Sequence, residues 1–428
     1  MKQEIVSIEE KRLPKTCQNL TLEQIVSNPK SDIKRGPFGS SITKDMFVPS
    51  GYKIYEQKNA IQNNFEIGSY FIDEIKFEQM KDFEVKEDDL IISCSGTIGK
   101  VAIVPKNAHR GIINQALLKI TLDTKRMLPT YFKYLFESEF LQKKFVDNTM
   151  GGTIKNVASV KELKKISFPV PSIIEQQKIV DKLNNQMAQI EMMKKEAERQ
   201  LEVSEVLFDS IINSTIKFFE PEKNTEWKLI KLGKICQINP RIQEKITSSD
   251  NQNTSFIPME SVNEELGIID AIKIVPFIKV KKGYTYFEEN DILFAKITPC
   301  MQNKKSCIAK NLINGFGFGT TEFHVMRCLN NVIPEWIFYI IRSHKFIEDA
   351  KKHFTGAVGQ QRVSKDFLEN YPIFIPPISE QENNVKFLNK KSKENEYIKK
   401  QIRVQVHAIN QLPASILNEV FGQYQINS

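Results

Sequence analysis

Few side chains in this sequence have the types and spacing that catalysis requires. Residues 96–100 read GTIGK, which superficially suggests a phosphate-binding loop. Two residues rather than four separate the glycines, and Val101 stands where Ser or Thr would bind the metal. Residues 83–86 read FEVK, like the end of a nuclease motif, but no Pro-Asp pair precedes them. We therefore reject both chemistries.

Other catalytic and metal chemistry also lacks its residues. The chain has only five His, and its six Cys form neither a C-x-x-C pair nor a Cys/His metal spacing. The cysteines are Cys17, Cys94, Cys236, Cys300, Cys307 and Cys328. Serine-hydrolase, zinc-protease, dinucleotide and amino-methyltransferase motifs do not occur. The sequence therefore predicts a recognition protein with no catalytic residue and no metal site.

The chemistry that the sequence does offer is recognition of a polyanion. The formal charge of +8 hides a strong segregation of charged residues. Residues 91–170 hold 13 Lys+Arg and 5 Asp+Glu, and residues 271–310 hold 8 and 3, whereas residues 61–90 hold 3 and 9. Basic segments that contain aromatic and amide side chains favour nucleic acid. A Lys-rich solubilising surface has the same charge, so both interpretations stay open on charge alone.

Length and composition limit the class of protein. A chain of 428 residues with 41% hydrophobic side chains is long enough for several domains with large cores. No apolar run approaches the ~18 residues of a membrane span, and the first residues lack the apolar core of a secretion signal. We therefore expect a cytoplasmic protein that does not contact a membrane.

An internal repeat of about 205 residues organises the chain. Five segments recur in the same order, and two of them share Pro and Glu-Gln positions. The matches are Leu22 and Ile25 with Leu232 and Ile235, Asp89 with Asp291, LPTYFKYLF with IPEWIFYII, Gly151 with Gly356, and FPVPSIIEQQKIVDKLN with FIPPISEQENNVKFLN. This period is too long for a solenoid. It predicts a duplicated pair of domains.

Each copy has two parts. The first part alternates short β-like runs with Gly, Pro and Asn turns, and residues 131–146 and 336–354 have the apolar pattern of amphipathic helices. The second part is a long helix. An S-x-x-E capping box predicts each helix start, at Ser172 with Glu175 and at Ser379 with Glu382. The first helix should run to about residue 217 without Gly or Pro.

Both long helices carry an apolar stripe with the spacing of a coiled coil. The predicted interface residues are Ile179, Leu183, Ile190, Met193, Ala197, Leu201, Leu388, Ile398, Ile402 and Ile409. The second stripe is interrupted by Asn395, and Pro413 should kink or restart the helix. Burial of the two stripes against each other predicts an antiparallel pair. The alternative is that each helix packs only on its own globular part.

The layout and motifs together resemble the specificity subunit of Type I restriction–modification systems. The resemblance extends from about Leu20 to Phe421. It rests on GPFGSS at 36–41, the strands that begin at Asp89 and Asp291, SGTIGKVAIV at 95–104, NQALLKI at 114–120 and the two Glu-Gln helix entries. The second copy departs from the pattern, with NPRIQEK at 239–245 and with Thr321 and Glu322 in place of Asn114 and Gln115.

The resemblance implies an α+β architecture of two tandem target recognition domains, separated by long helices that pair as an antiparallel coiled coil with pseudo-two-fold symmetry. The expected boundaries are a tail at 1–19, recognition domains at 20–171 and 229–376, helices at 172–220 and 377–422, a linker at 221–228 and a tail at 423–428.

The resemblance also implies partners and cofactors. Each domain would read one half of a bipartite, non-palindromic site on double-stranded DNA, and the coiled coil would set the spacing and dock two methyltransferase subunits. A restriction/translocase subunit can join them. S-adenosylmethionine is expected to bind the methyltransferase, and no cofactor is expected to bind this chain.

Polar residues in the turns of each copy are the candidates for DNA contact, because Asn and Gln pair with adenine and Arg with guanine. In the first copy they are Arg35, Ser40, Ser41, Lys44, Thr97, Lys100, Asn114, Gln115, Lys155 and Asn156. In the second copy they are Lys296, Thr298, Gln302, Lys304, Lys305, Gln360, Gln361 and Arg362. Ordinary turns and solubilising loops are the alternatives. Phe316 and Phe318 could stack on DNA or be buried.

Two other classes of function compete with DNA recognition. A structural coiled-coil scaffold with incidental basic patches is the main alternative, although it requires no duplicated, basic, loop-rich domains. A fused nuclease or methyltransferase would need catalytic residues that the sequence lacks. The sequence therefore favours a non-catalytic DNA-recognition subunit.

Overall fold

A computed structural model of the chain describes residues 17–37, 41–146, 160–216, 226–242, 251–357 and 360–422. The chain divides into two compact units. The first comprises Met1–Ala197 and Gln405–Ser428, and the second comprises Glu198–Val404. Each unit therefore contains one copy of the repeat together with part of each long helix.

The first copy mixes short strands with short helices. Its strands are β1 (Gln18–Thr21), β2 (Ile33–Arg35), β3 (Tyr52–Tyr55), β4 (Phe71–Ile72), β5 (Leu90–Ser93), β6 (Val101–Ile103), β7 (Gly111–Ile113), β8 (Leu117–Ile120) and β9 (Ser167–Val170). Its α-helices are α1 (Gln57–Gln62), α2 (Glu74–Gln79), α3 (Pro129–Glu137), α4 (Glu139–Val146) and α5 (Val160–Leu163), and the long helix α6 (Ile173–Ile216) follows.

The second copy has the same mixture. Its strands are β10 (Lys228–Lys231), β11 (Cys236–Ile238), β12 (Asn253–Ile257), β13 (Lys273–Pro276), β14 (Thr285–Glu288), β15 (Ile292–Ala295), β16 (Ser306–Ile308), β17 (Phe316–Gly319), β18 (Phe323–Cys328), β19 (Phe354–Thr355), β20 (Arg362–Val363) and β21 (Pro372–Ile375). Its helices are α7 (Leu232–Ile235), α8 (Pro334–Arg342), α9 (His344–Lys351), α10 (Lys365–Asn370) and the long α11 (Ile378–Phe421).

The main sheets of the two copies share one topology. A four-stranded antiparallel sheet has the order β2-β8-β5-β6 in the first copy and β11-β18-β15-β16 in the second. A second sheet contains one parallel pair, β3 with β7 in the first copy and β12 with β17 in the second. The prediction of two tandem α+β globules with an internal repeat is confirmed.

A buried glutamine fixes the start of each long helix against its globule. Gln176 and Gln381 are both fully buried, and each forms three hydrogen bonds of 2.8–3.0 Å with backbone groups. The backbone partners belong to Arg126, Leu128 and Pro171 for Gln176, and to Asn331, Ile333 and Pro376 for Gln381. The Glu-Gln motif therefore has a structural role, because its amide satisfies buried backbone groups that no water reaches.

The predicted serine cap is confirmed at the start of α6 but not at the start of α11. In α6, the Glu175 amide lies 3.4 Å from the Ser172 hydroxyl, at the limit of a hydrogen bond. The prediction for the second helix is wrong, because α11 already begins at Ile378 and Ser379 lies inside its first turn. Pro377 takes the place of the cap, and its carbonyl accepts a hydrogen bond from the Gln381 amide.

Each predicted amphipathic helix is in fact two helices. α3 ends before Ser138, and α8 ends before Ser343. Both serines have extended backbone dihedral angles and donate a side-chain hydrogen bond to a carbonyl three residues earlier, at 2.6 and 2.7 Å. Such local bonds compete with the helical ladder, and this explains breaks that apolar periodicity does not predict.

The long helices pair in antiparallel orientation within the second unit. Ser204 of α6 donates a 2.5 Å hydrogen bond to Asn395 of α11. Further along α6, Ile212 and Ile216 share a core with Leu388, which lies earlier in α11. Asn395 therefore interrupts the apolar stripe as predicted, but a hydroxyl from the other helix satisfies it. Both helices also pack on the globule of the second unit. Helix pairing and packing of each helix on a globule, the two alternatives above, therefore each describe part of the contacts.

The predicted interface residues are not all buried. Leu183, Ile190, Ala197, Leu388, Ile402 and Ile409 are buried, Ile179 packs against the first core, and Leu201 is half-buried. Met193 and Ile398, however, are 47% and 49% exposed and lie outside the buried stripe.

α11 continues through Pro413 to Phe421, so the predicted restart is wrong. Ile409 and Leu417 are buried on either side of the proline, and their burial offsets the hydrogen bond that it removes. No helix in the described ranges combines the length and the hydropathy that crossing a bilayer requires.

Candidate nucleic-acid interface

The ends of four strands, β2, β5, β6 and β8, meet at one end of the main sheet in the first copy. Ile92 of β5 pairs with Val101 of β6, and Ser93 pairs with Leu117 of β8. Arg35, the last residue of β2, lies next to the same end of β8. The turns at these strand ends, residues 35–37, 94–100 and 114–116, therefore converge, although up to 80 residues of sequence separate them. These convergent turns carry five of the ten candidate residues of the first copy, namely Arg35, Thr97, Lys100, Asn114 and Gln115.

Gly36 allows the closest approach between two of these turns. Its amide bonds the Leu117 carbonyl at 2.9 Å, and a Cβ placed on it would lie only 1.8 Å from the Asn114 carbonyl oxygen. No residue with a side chain fits there. Arg35 is held at the same place by a 3.3 Å bond from Nε to the Gln115 carbonyl oxygen. The structure thus brings together Arg35, Asn114 and Gln115 as candidates.

A cavity of about 290 Å³ opens beside this cluster, and Lys44, Asn114 and Gln115 line it. Its apolar wall includes Phe47 and Tyr70, whose rings stack with centroids 4.6 Å apart. Ser41 is half-buried, and it precedes Ile42 of the same wall. Gln115 and Lys44 are exposed. The cluster therefore offers a cation and amides beside an aromatic surface.

Thr97 and Lys100 lie in the turn between β5 and β6, and both are exposed. The turn contains Gly96 and Gly99 with φ of 63° and 81°, a conformation that side chains disfavour. Cys94, which begins this turn, donates its amide to the Ala116 carbonyl at 2.9 Å, so the turn is adjacent to Asn114 and Gln115. Ser40, Lys155 and Asn156 lie outside the described residues.

The corresponding edge of the second copy collects three segments. The Lys296 amide bonds the Glu322 carbonyl at 2.9 Å, and the Thr298 amide bonds the Gln361 carbonyl at 3.0 Å. Arg362 and Ile297 form an isolated β-bridge. The structure therefore brings together Lys296, Thr298, Gln360, Gln361 and Arg362.

Hydrogen bonds show that the predicted alignment of the two copies is one residue out of register at Asn114. The Ala116 amide bonds the Asn114 side chain, and the Glu322 amide bonds the Thr320 hydroxyl in the same way. Thr320 therefore corresponds to Asn114, and Glu322 corresponds to Ala116. The expectation that Thr321 and Glu322 replace Asn114 and Gln115 is wrong. The register follows from strand pairing, because Leu117 and Phe323 occupy the same position opposite β5 and β15.

Arg362 forms a forked ion pair with Glu322. Its Nε and Nη2 atoms donate to the two carboxylate oxygens, each at 2.9 Å. This bond lowers the pKa of Glu322 and raises the pKa of Arg362. The Arg362 and Glu322 side chains are 39% and 26% exposed. The guanidinium is therefore held in a fixed orientation. The sequence analysis did not identify Glu322 as the partner of Arg362.

Gln302, Lys304 and Lys305 lie in the same turn between β15 and β16, and Gln302 and Lys304 face the long helices. Lys304 Nζ lies 2.9 Å from the carboxylate of Asp209 on α6, and Lys305 lies 4.0 Å from Glu264. Gln302 lines a cavity of about 270 Å³ with Asp209 and residues of both helices. Lys304 thus links the globule to α6, and Lys305 pairs within the globule. DNA contact by these three residues stays a prediction.

The repeated Asp at the start of a strand is structural. Asp89 accepts a hydrogen bond from the Lys86 amide at 2.8 Å, and Asp291 accepts one from the Glu288 amide at 2.7 Å. Both lie at the end of their strand remote from the convergent turns. Burial raises the pKa of Asp291, although a forked bond with Arg327 opposes this effect. Phe316 and Phe318 are buried with Phe277 in a small core, as the second alternative predicted.

Sequence reasoning missed two further polar residues near this edge. His324 is buried, and its Nε2 atom lies 2.9 Å from the Val363 carbonyl oxygen. Its other ring nitrogen lies 3.0 Å from the Asn239 side chain. The available signal was a His between the apolar residues Phe323 and Val325 of β18. Within the described residues, no three His, Cys, Asp or Glu side chains lie together as metal ligands would.

Comparison with known proteins identifies the family. Residues 38–203 and 224–408 match the family described as the Type I restriction modification DNA specificity domain. The chain belongs to this specificity family. The EcoAI specificity subunit of Escherichia coli is 41% identical over 157 residues, which are 36% of this chain and 26% of that protein. The EcoKI specificity subunit of Escherichia coli K12 is 19% identical over 354 residues, 79% of this chain and 75% of that protein.

A solved structure from a study of assembly and conformational transition of the type I R-M system has the same fold. It superimposes with a TM-score of 0.68 at 14% identity and covers 96% of this chain and 98% of its own. This identity supports a shared fold only. The match to the EcoAI subunit spans about a quarter of that protein.

Proposed function

We propose that this chain is the DNA-sequence-reading subunit of a Type I restriction–modification complex. Each copy reads one half of a bipartite, non-palindromic site on double-stranded DNA. The long helices set the spacing and dock two methyltransferase subunits, and a restriction/translocase subunit can join them. The chain itself performs no catalysis and works in the cytoplasm. S-adenosylmethionine binds to the methyltransferase subunits, and no cofactor binds to this chain.

One observation carries this proposal: the same edge of a duplicated sheet presents different polar side chains in the two copies. The first copy presents Arg35, Asn114 and Gln115, and the second presents Lys296 and the Glu322–Arg362 pair. Related domains that carried identical residues would read a palindrome. Divergent residues on one scaffold support unlike half-sites, because base-edge contacts specify sequence and phosphate contacts only position the protein.

The assay of this proposal is methylation mapping. The full chain is expressed with its methyltransferase subunits in a methylation-free bacterial host, and modified bases are located by sequencing. We expect one interrupted, asymmetric motif that is absent when the methyltransferase subunits are expressed alone. If the chain is instead a structural scaffold, no sequence motif appears. A palindromic motif would contradict the assignment of unlike half-sites.

A single substitution assigns the first half-site. Gln115 is exposed at the convergent turns, so Gln115→Ala should reduce discrimination at one base pair by about 5- to 150-fold, the effect of a bidentate contact worth ~1–3 kcal/mol. Gln79→Ala is the matched control, because Gln79 is an exposed glutamine on α2 of the same copy. Equal behaviour of the two variants would remove Gln115 from the interface.

A further inference from the structure

The Glu322–Arg362 pair has a geometry that leaves part of the guanidinium available. Arg362 has five N–H donors. Its Nε and Nη2 atoms each donate one to Glu322, and Nη1 donates one to the Gln360 carbonyl oxygen at 2.9 Å. Nη1 and Nη2 each keep one further N–H without a protein partner among the described residues. Two N–H groups on the terminal nitrogens are what a bidentate contact with guanine O6 and N7 requires.

The backbone on both sides of the pair is fixed. Arg362 begins β20, which pairs with β19 in a short hairpin, and the Val363 amide bonds the Lys296 carbonyl at 2.9 Å. Glu322 immediately precedes β18, a strand inside the main sheet. Both partners are thus held by the sheet of one copy. An arginine with its rotamers already restricted loses less entropy when it binds a base.

Not every ion pair of the second copy lies at these turns. Lys310 and Glu335, 2.8 Å apart, lie beyond the end of β16, at the sheet edge opposite the convergent turns. Only a pair at the convergent turns is in a position to contact the same ligand as Lys296 and Thr298. In the first copy, Ala116 occupies the place of Glu322, so that position carries no carboxylate.

We propose that Glu322 is a positioning residue that holds Arg362 to read a guanine in the half-site of the second copy. This inference rests on the proposed function. Glu322 does not contact the base itself. Its carboxylate fixes one edge of the guanidinium and leaves the terminal edge for the major groove. In the first copy, Arg35 at the corresponding turns is held by the Gln115 carbonyl oxygen.

The test uses the full chain with its methyltransferase subunits and measures methylation at every single-base variant of the motif. Arg362→Ala should reduce discrimination at one G·C pair by about 5- to 150-fold. Arg362→Lys keeps the charge but loses the fork, and should give a similar loss. Glu322→Ala and Glu322→Gln should weaken discrimination at the same pair to a smaller extent. The half-site assigned by Gln115→Ala should be unchanged in all four variants.

Controls separate positioning from folding. Lys310→Ala removes an ion pair of the same sheet away from the interface, and should leave the motif unchanged. A purely structural role of Glu322 would reduce methylation of all site variants equally, and this result would overturn the inference. An effect of Glu322→Gln at a different base pair from that of Arg362→Ala would show direct contact by Glu322 and would also overturn it.

The inference and the proposed function fail in different ways. If the wild-type complex methylates no bipartite motif, the proposed function is wrong. If the motif is present but Arg362→Ala discriminates all bases as the wild type does, only the guanine assignment is wrong. A second half-site without any G·C pair would likewise contradict the guanine assignment and leave the proposed function intact.

Discussion

Replacement of Gln381 by Leu tests whether the Glu-Gln motif acts through burial. Gln381 is fully buried, accepts a hydrogen bond from the Ile333 amide at 3.0 Å and donates to the Asn331 and Pro376 carbonyls at 3.0 and 2.9 Å. Leucine has a similar size but no polar group. The substitution therefore leaves one buried amide and two buried carbonyls without a partner, with little change in packing.

The expected loss follows from these three bonds. At about 1 kcal/mol for each, Gln381→Leu should lower the free energy of unfolding of the second unit by ~3 kcal/mol. With a urea dependence of about 1–3 kcal/mol/M, the midpoint should fall by roughly 1–3 M.

Tryptophan fluorescence is a suitable assay, because the chain has two Trp and both lie in the second unit. Trp227 and Trp336 are buried, with ring centroids 5.7 Å apart, and Trp336 is three residues from the Ile333 amide. Gln401→Ala is the control, since Gln401 is an exposed glutamine of α11 in the second unit and its loss should cost less than ~0.5 kcal/mol. A Gln381→Leu midpoint equal to that of the control would refute the structural role of the motif.

Two further predictions concern single groups near the convergent turns. Gly36→Ala would place a Cβ 1.8 Å from the Asn114 carbonyl oxygen, so it should speed hydrogen exchange of the Leu117 amide more than tenfold. Gly422→Ala is the control, because its Cβ would meet no atom within 4 Å and should leave that exchange rate unchanged. Burial lowers the pKa of His324 from its usual value near 6.5, so its contribution to stability is present above pH ~6.5 and is lost as the pH falls through the lowered pKa. Urea midpoints between pH 7 and 5 should therefore decline, and His324→Gln should flatten this part of the profile. An identical slope in both proteins would contradict the assignment.

The sequence by itself determined the duplication and the two long helices. Both are local properties, since a repeated Pro and Glu-Gln entry or a 44-residue run with helical periodicity is visible without any tertiary contact. The family resemblance rested on the order of these local patterns. Sequence reasoning also placed Arg35, Asn114 and Arg362 in turns, and the structure has them in turns or at the strand ends beside them.

The tertiary structure decided which of these turn residues meet. Strand order and register bring Arg35 beside Gln115, and Arg362 beside Glu322 from 40 residues away. The same folding directs Lys304 to Asp209, 95 residues distant. Spacing along the chain does not encode such contacts, because the side-chain period of a strand is two and a slip of one residue changes every partner. The one-residue shift between Asn114 and Thr320 illustrates this: apolar patterns allowed either alignment, and only the hydrogen bonds of the paired strands selected one.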